Sequence, residues 1–306
     1  ALQFAVSFNG GEKFEPEKYL TDYYSEEAVK VIEANKDRPF FLYLAHWAPH
    51  TPLQATKEDY EALSHIKLHR ERVYAAMIRA LDRGVGQVLD ALQDNGLEEN
   101  TLVIFTSDNG AAGYIGLPDV NAPYRGWKMT LFKGGLRVPY FIRWPGMIPE
   151  GTTVTQAVHH FDLFATAAAA AGTALPADRK IDGIDLLPFV TGQVDSETAG
   201  VTHERLFWRS GSSQTALVDG WKLNVSRPPG AESRKWLFDL RADPTERVDL
   251  SEKHPKKVAE LEAALEAHNA EQAASIWPST ASMGINIDKD LSIPDAPDDE
   301  YVYWTN

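Results

Sequence analysis

Apolar positions recur near helical spacing over residues 18–34, where Tyr19, Leu20, Tyr23, Tyr24, Ala28, Val31 and Ile32 fall toward one face. The same period is strongest over 69–95. Val73, Met77, Ala80, Leu81, Val88, Leu89 and Leu92 share a side there, and Asn95-Gly96 supplies the stop. Between them "DRPFFLYLA" runs apolar without a period after Pro39, the pattern of a strand buried on both faces. "HWAPHTPLQA" follows with two prolines and no period, and reads as a loop leaving that strand's C-terminal end. "NTLVIFTS" and "RVPYFIRWPG" read as second and third strands, and 160–171 as a short helix. The stretch between those strands, 108–136, is a long loop rich in Gly and Pro. In a compact domain such loops are usually functional or disordered.

Strands alternating with helices imply an α/β domain with a mainly parallel sheet. Ligands of open sheets sit beyond the carboxyl ends of the strands. His46 to His50 and Asp108-Asn109 both occupy that position. After about residue 195 the texture changes. "HERLFWRSG", "QTALVDG", "WKLNVSR" and "KWLFDLRADP" are short β-type runs that predict a small antiparallel sheet, followed by a helix over 254–273. The organisation expected is 1–195 as α/β domain and 196–306 as a small α+β subdomain, its acidic tail wrapping the surface or partly disordered.

Composition narrows the partners. With 43% hydrophobic and 24% charged residues the chain is ordinary for a globular protein. A net charge of −14 argues against nucleic acid or an anionic membrane as partner. It leaves room for a small anionic substrate held by a local basic site. No cysteine is present, which removes disulfides and thiolate metal ligands. No apolar run approaches the roughly 20 residues of a spanning helix.

Asp108 offers a carboxylate and Asn109 an amide oxygen, hard donors suited to Ca²⁺ or Mg²⁺ rather than zinc. A plain turn explains "SDNG" equally, since Asp, Asn and Gly favour turns. His50 lies between prolines, where an imidazole could protonate a leaving oxygen. A lone His is more often structural. "YRGWKMTLFKGGLRVP" gathers Arg125, Lys128, Lys133 and Arg137 beside glycines that permit close backbone approach. That cluster reads as a solvated basic loop or as a cradle for a tetrahedral oxyanion. Trp47, Tyr124, Trp127, Arg143 and Trp144 line a sugar subsite or belong to the core.

Taken in order, "FFLYLAHWAPHTPLQA", "RVYAAMIRALDRGVGQVLDAL", "NTLVIFTSDNGA", "APYRGWKMTLFKGGLRVPYFIRWPG" and "KWLFDLRADPTERVDLSE" resemble the formylglycine-dependent sulfatases. The look is that of the bacterial branch acting on sulfated glycans, similar to N-acetylgalactosamine sulfatases, from about residue 18 to 275. The resemblance implies an alkaline-phosphatase-like fold. It makes Asp108 and Asn109 ligands of Ca²⁺, His50 a sulfate contact that protonates the leaving oxygen, and Lys128, with Arg125 beside it, a grip on sulfate. Lys133 stands where the family usually has Glu. The family's Asp-Asp pair and its Cys-x-Pro-Ser-Arg motif, source of formylglycine, have no counterpart. The resemblance therefore implies the C-terminal part of a sulfatase, expected to be inactive alone and to bind Ca²⁺ weakly. Such a chain should associate with the missing N-terminal segment or with a second copy. A sulfated small molecule or glycan is the implied substrate, and periplasm or secretion the implied location. Two alternatives stay open: a phosphodiesterase or phosphonate hydrolase of the same architecture, and a non-catalytic sulfated-glycan-binding fragment.

Overall fold

Residues 5–194, 202–227, 230, 232–274, 276–277 and 281–305 are described in a computed structural model of the chain. It comprises two units, Ala1–Val103 with Trp144–Met147, and Ile104–Arg143 with Ile148–Asn306. The boundary expected at 195/196 falls among residues 195–201, outside the described residues.

The first unit opens on a two-residue antiparallel pair, β1 (Val6–Ser7) and β2 (Lys13–Phe14). Its body is three helices, α1 (Leu20–Asn35), α2 (Lys57–Ala62) and α3 (His69–Asp94). The apolar stripes of α1 and α3 meet around buried Ile32, Ala91 and Leu92, with Phe40, Leu42 and Val88 packed against them. Gly84 of α3 lies against Ser25 of α1, and a Cβ there would overlap the Ser25 hydroxyl. The helices can cross this closely only because that position is glycine.

An ion-pair node fastens the three helices. Thr56 caps α2 by accepting from the Asp59 amide at 3.1 Å. Asp59, 1% exposed, takes Arg83 Nη1 at 2.7 Å and a short contact from Arg79, and Arg83 reaches Asp22 at 2.8 Å. Burial alone would raise the Asp59 pKa. Hydrogen bonds from Arg83, Thr56 and Arg79 outweigh it and hold the group at about 2, below its ordinary 3.8. A depressed carboxylate pKa contributes stability that is full above the unfolded value and lost as pH falls through the folded one. Across this shift the contribution is about 2 kcal/mol. Thermal midpoints should therefore drop between pH 4 and 2, and Asp59→Asn should flatten that drop. An unchanged pH profile in the variant would remove the node as its cause.

The second unit carries β3 (Val103–Thr106), α4 (Lys133–Leu136), β4 (Tyr140–Arg143), α5 (Asp162–Ala170) and α6 (Leu187–Val190). Then come β5 (Arg205–Ser210), β6 (Ser213–Val218), β7 (Trp221–Ser226) and β8 (Arg234–Asp239), an antiparallel meander in the order β5-β6-β7-β8. Helix α7 (Pro255–Ala270) and an antiparallel hairpin, β9 (Ser282–Asn286) with β10 (Tyr301–Thr305), complete it. The period of two decides which face each residue covers. Leu223 and Leu237 turn to Val258, Leu261 and Leu265 of α7. Trp236 and Phe238, on the other face, grip Phe132 at 5.6 and 5.9 Å between ring centroids, with Ile287 and Val302 of the hairpin region beside them. Phe132 lies inside the long loop, so the sheet anchors that loop directly. No helix among the described residues is long and apolar enough to cross a membrane.

The mainly parallel sheet is corrected. Every strand pairing described in register is antiparallel. β3 has only β4 beside it in a two-stranded sheet, and "FFLYLA" forms no ladder among the described residues. Phe40 and Leu42 turn inward while Phe41 and Tyr43 are 82% and 81% exposed. The run has a strand's alternation, but a parallel ladder needs flanking strands brought in by crossovers, and none pairs with it.

Candidate functional site

The strand-end turn forms by folding polar side chains back onto their own backbone, as Asx residues do. Ser107 Oγ donates to the Asn109 carbonyl at 3.1 Å, and Asp108 Oδ1 accepts the Asn109 amide at 2.9 Å. Asn109 Nδ2 donates to the Gly110 carbonyl at 2.9 Å. These bonds leave the second Asp108 carboxylate oxygen and the Asn109 amide oxygen unengaged among the described residues. Both are hard oxygen donors. Asp108 is exposed and Asn109 half-buried.

The long loop then returns to this turn. Asn121 Oδ1 accepts from the Ala111 amide at 2.9 Å, while its Nδ2 donates to the carbonyls of Ala111 at 2.8 Å and Gly126 at 3.1 Å. The Lys128 amide donates to the Ala111 carbonyl at 3.0 Å. Lys128 is thereby fixed to the residue three positions beyond Asp108. Thr130 closes the "RGWKMT" bend, its hydroxyl donating to Trp127 O at 2.8 Å and accepting from the Trp127 amide at 3.1 Å. Gly126 permits the left-handed φ of 87° that the bend requires.

Glycines let three stretches interlock. The Gly110 amide donates to Gly135 O at 3.0 Å, and the Gly134 amide to Arg125 O at 2.7 Å. A Cβ on Gly110 would overlap the Gly134 carbonyl, and one on Gly134 would overlap the Gly126 carbonyl. Below them Glu246, fully buried, accepts from the Lys133 amide at 2.6 Å at the start of α4, and its other carboxylate oxygen forms an ion pair with Lys222 Nζ at 2.6 Å. Burial pushes the Lys222 ammonium below its ordinary pKa, and the Glu246 carboxylate opposes that shift.

The basic cluster is thus sorted. Arg125 is 8% exposed and bidentate to Asp288, Nε to Oδ1 at 2.8 Å and Nη2 to Oδ2 at 2.6 Å, with Glu300 in short contact. Lys133 Nζ donates to Pro244 O at 2.9 Å, and the Arg137 guanidinium lies 5.1 Å over the Tyr124 ring. Lys128 is half-buried beside the turn. His50 belongs to the first unit, exposed, with Nδ1 2.7 Å from the Thr51 carbonyl. A carbonyl only accepts, so Nδ1 donates in this contact. Asp108, Asn109 and Lys128 are brought together within the second unit. Of the aromatic candidates, Trp127 is buried at 5% exposure and Trp144 Nε1 donates to Glu99 O at 3.1 Å, whereas Trp47 is exposed.

Sequence reading missed Asn121, Glu246 and His160, whose Nε2 donates to the Ser107 carbonyl at 2.9 Å. Asn121 sits in "DVNAPY", indistinguishable from any turn asparagine. His160 lies in "AVHHFDLF", where the doubled histidine was the available signal. Its neighbour His159 is stacked 3.9 Å on Phe161, and burial pushes it down to about 4.

A family model described as Sulfatase matches residues 5–173. The chain is 38% identical to N-acetylgalactosamine-6-sulfatase of Canis lupus familiaris over 71% of its own length and 39% of that protein. It is 33% identical to steryl-sulfatase of Rattus norvegicus over 83% of its length and 49% of that protein. The chain therefore spans less than half of either curated relative. The solved structure of Ps i-CgsB in complex with k-i-k-neocarrahexaose superposes with a TM-score of 0.77 at 31% identity, covering 88% of this chain and 59% of that one.

Proposed function

This chain belongs to the sulfatase family, and on that footing we propose that it takes part in hydrolysing sulfate esters of carbohydrates. The observation carrying this reading is the bond from the Lys128 amide to Ala111 O, which ties a lysine to the Asp108-Asn109 turn. In this reading the Lys128 ammonium grips a sulfate oxygen through a charge-assisted hydrogen bond. Arg125 holds the loop in place, since Asp288 and Glu300 already meet its charge. His50 is, in this reading, the proton donor to the departing sugar oxygen. A carbohydrate is favoured by an amino-sugar sulfatase and an oligosaccharide complex among the relatives. The same reading puts the protein in the periplasm or outside the cell, where sulfated polysaccharides are met.

Asp108 and Asn109 fit calcium in kind, through the two unengaged hard oxygens, and they cover part of the six to eight oxygens it takes. No group of three His, Cys, Asp or Glu residues among the described residues adds to them. Calcium, when bound, supplies positive charge that polarises the sulfate oxygens. The family's nucleophile derives from a cysteine. None of the 306 residues is cysteine, so no covalent step is assigned to this chain.

Sulfate release from sulfated oligosaccharides by the protein from its native source tests the reading. Lys128→Ala should lower kcat/KM by about 10²–10³-fold, the size of a lost anion-stabilising donor. Calcium titration of the chain gives a second readout, in which Asp108→Ala should weaken binding by about tenfold or more. Preferential turnover of phosphate esters, or calcium affinity indifferent to Asp108, would overturn it.

A further inference from the structure

A cavity of about 250 Å³ opens between β5 and the C-terminal end of α7, away from Asp108 and Lys128. We propose that it is a subsite for a sulfated sugar residue of an oligosaccharide. The proposal rests on the carbohydrate-sulfate reading above and adds a second place where the same chain of sugars is held.

Strand alternation puts Phe207 and Arg209 on one face of β5, and the ladder sets Gln214 opposite Arg209. From α7, His268 stacks flat on Phe207, with 4.3 Å between centroids and 13° between planes. Asn269 Nδ2 donates to Gln214 Oε1 at 3.0 Å. That bond orients both amides, leaving the Gln214 Nε2 hydrogens as donors and the Asn269 Oδ1 as acceptor. Gln272 adds a further amide at the mouth. The Arg209 guanidinium is exposed and meets no carboxylate among the described residues, in a chain with 44 acidic side chains against 30 basic ones.

A flat aromatic wall, a fixed donor, a fixed acceptor and an unengaged guanidinium complement one sulfated pyranose. The apolar ring face lies on the aromatic pair, hydroxyls meet the amides, and sulfate takes the planar fork of arginine. Its volume lies below the roughly 300–1,000 Å³ of pockets for drug-sized ligands, which leaves room for a single ring. A second hold on the same polymer raises the effective concentration of its other residues. β5 is also an edge strand, where a charge alone discourages strand addition. Lysine would serve that purpose equally well. The planar fork in addition matches the oxygens of a sulfate.

Isothermal titration calorimetry would follow titration with a sulfated galactan hexasaccharide, its desulfated counterpart and sodium sulfate. Arg209→Ala should weaken the sulfated ligand by about tenfold or more, the loss of one charge-assisted contact, and Arg209→Lys should recover only part. Arg205→Ala, a charge on the same strand outside the cavity, should leave binding unchanged. Equal affinity for the desulfated ligand, full competition by sodium sulfate alone, or an Arg205 effect matching that of Arg209 would each overturn the subsite. A parallel sulfate-release assay on the protein from its native source separates the two readings, since inactivity of the cysteine-free 306 residues by themselves is already expected. Absent turnover with Arg209-dependent binding intact removes the sulfatase reading and keeps the subsite. Turnover with Arg209-independent binding does the reverse.

Discussion

Replacing Glu246 with alanine should cost the second unit roughly 3–5 kcal/mol, the range for removing one partner of a buried ion pair. Lys222 is 3% exposed, and its ammonium would be left without a counter-charge in a site water does not reach. Burial already lowers its pKa, and the carboxylate is the group opposing that shift. Glu246 also holds a left-handed backbone, φ 62°, uncommon for a residue with a Cβ. Its second partner is the Lys133 amide at the start of α4. The variant should thus loosen the "KGG" stretch as well as the sheet. Chemical denaturation measures the first effect, and amide exchange at Gly134 and Gly135 the second. Pairing Glu246→Leu with Lys222→Met should recover most of the loss, because two apolar groups leave no buried charge. A single-variant loss below about 1 kcal/mol would show that Lys222 reaches water, contrary to its burial.

Gly110→Ala should be nearly as damaging, about 3 kcal/mol or more, at the upper end of overpacking penalties. The new methyl would overlap the Gly134 carbonyl and lie 2.8 Å from its carbon. Those neighbours are backbone, so no side chain can swing aside. Relief requires parting the Asp108-Asn109 turn from α4 and breaking the Gly110–Gly135 bond. On the proposed calcium reading, affinity should therefore fall with stability, although neither Asp108 nor Asn109 is altered. Gly86→Ala is the matched control. It lies within α3, its Cβ would meet nothing within 4 Å, and exchange of a helical glycine for alanine should stabilise by about 0.5–1 kcal/mol. Equal stability of Gly110→Ala and the parent would mean the three stretches are not interlocked as described.

The candidate site was legible wherever its chemistry is local. "SDNG" turns as its residue types demand, and the oxygens of Asp108 and Asn109 are hard donors whatever the fold, although a plain turn accounts for the four letters as well. The family resemblance singled out Lys128, but residue type and spacing alone do not separate it from Arg125, Lys133 and Arg137, because charge does not say which carboxylates Arg125 will meet. Asp288 and Glu300 lie 163 and 175 positions from Arg125, and Glu246 lies 113 from Lys133.

By itself the sequence determined the longer helices, and the 3.6-residue period of 69–95 survives as α3 (His69–Asp94) in full, whereas the short α2, α4 and α6 carry no such period. It determined the short strands after 205, while the two faces of β8, where Trp236, Leu237 and Phe238 are all apolar, were fixed by packing. Only the tertiary structure decided that "FFLYLA" has no ladder, that Arg125 is an anchor within the loop, and that Glu246 supports α4. The physical reason is range. Periodicity and turn chemistry act over a few residues. Strand pairing, burial of charge and the choice of ion-pair partner depend on residues that only folding brings near.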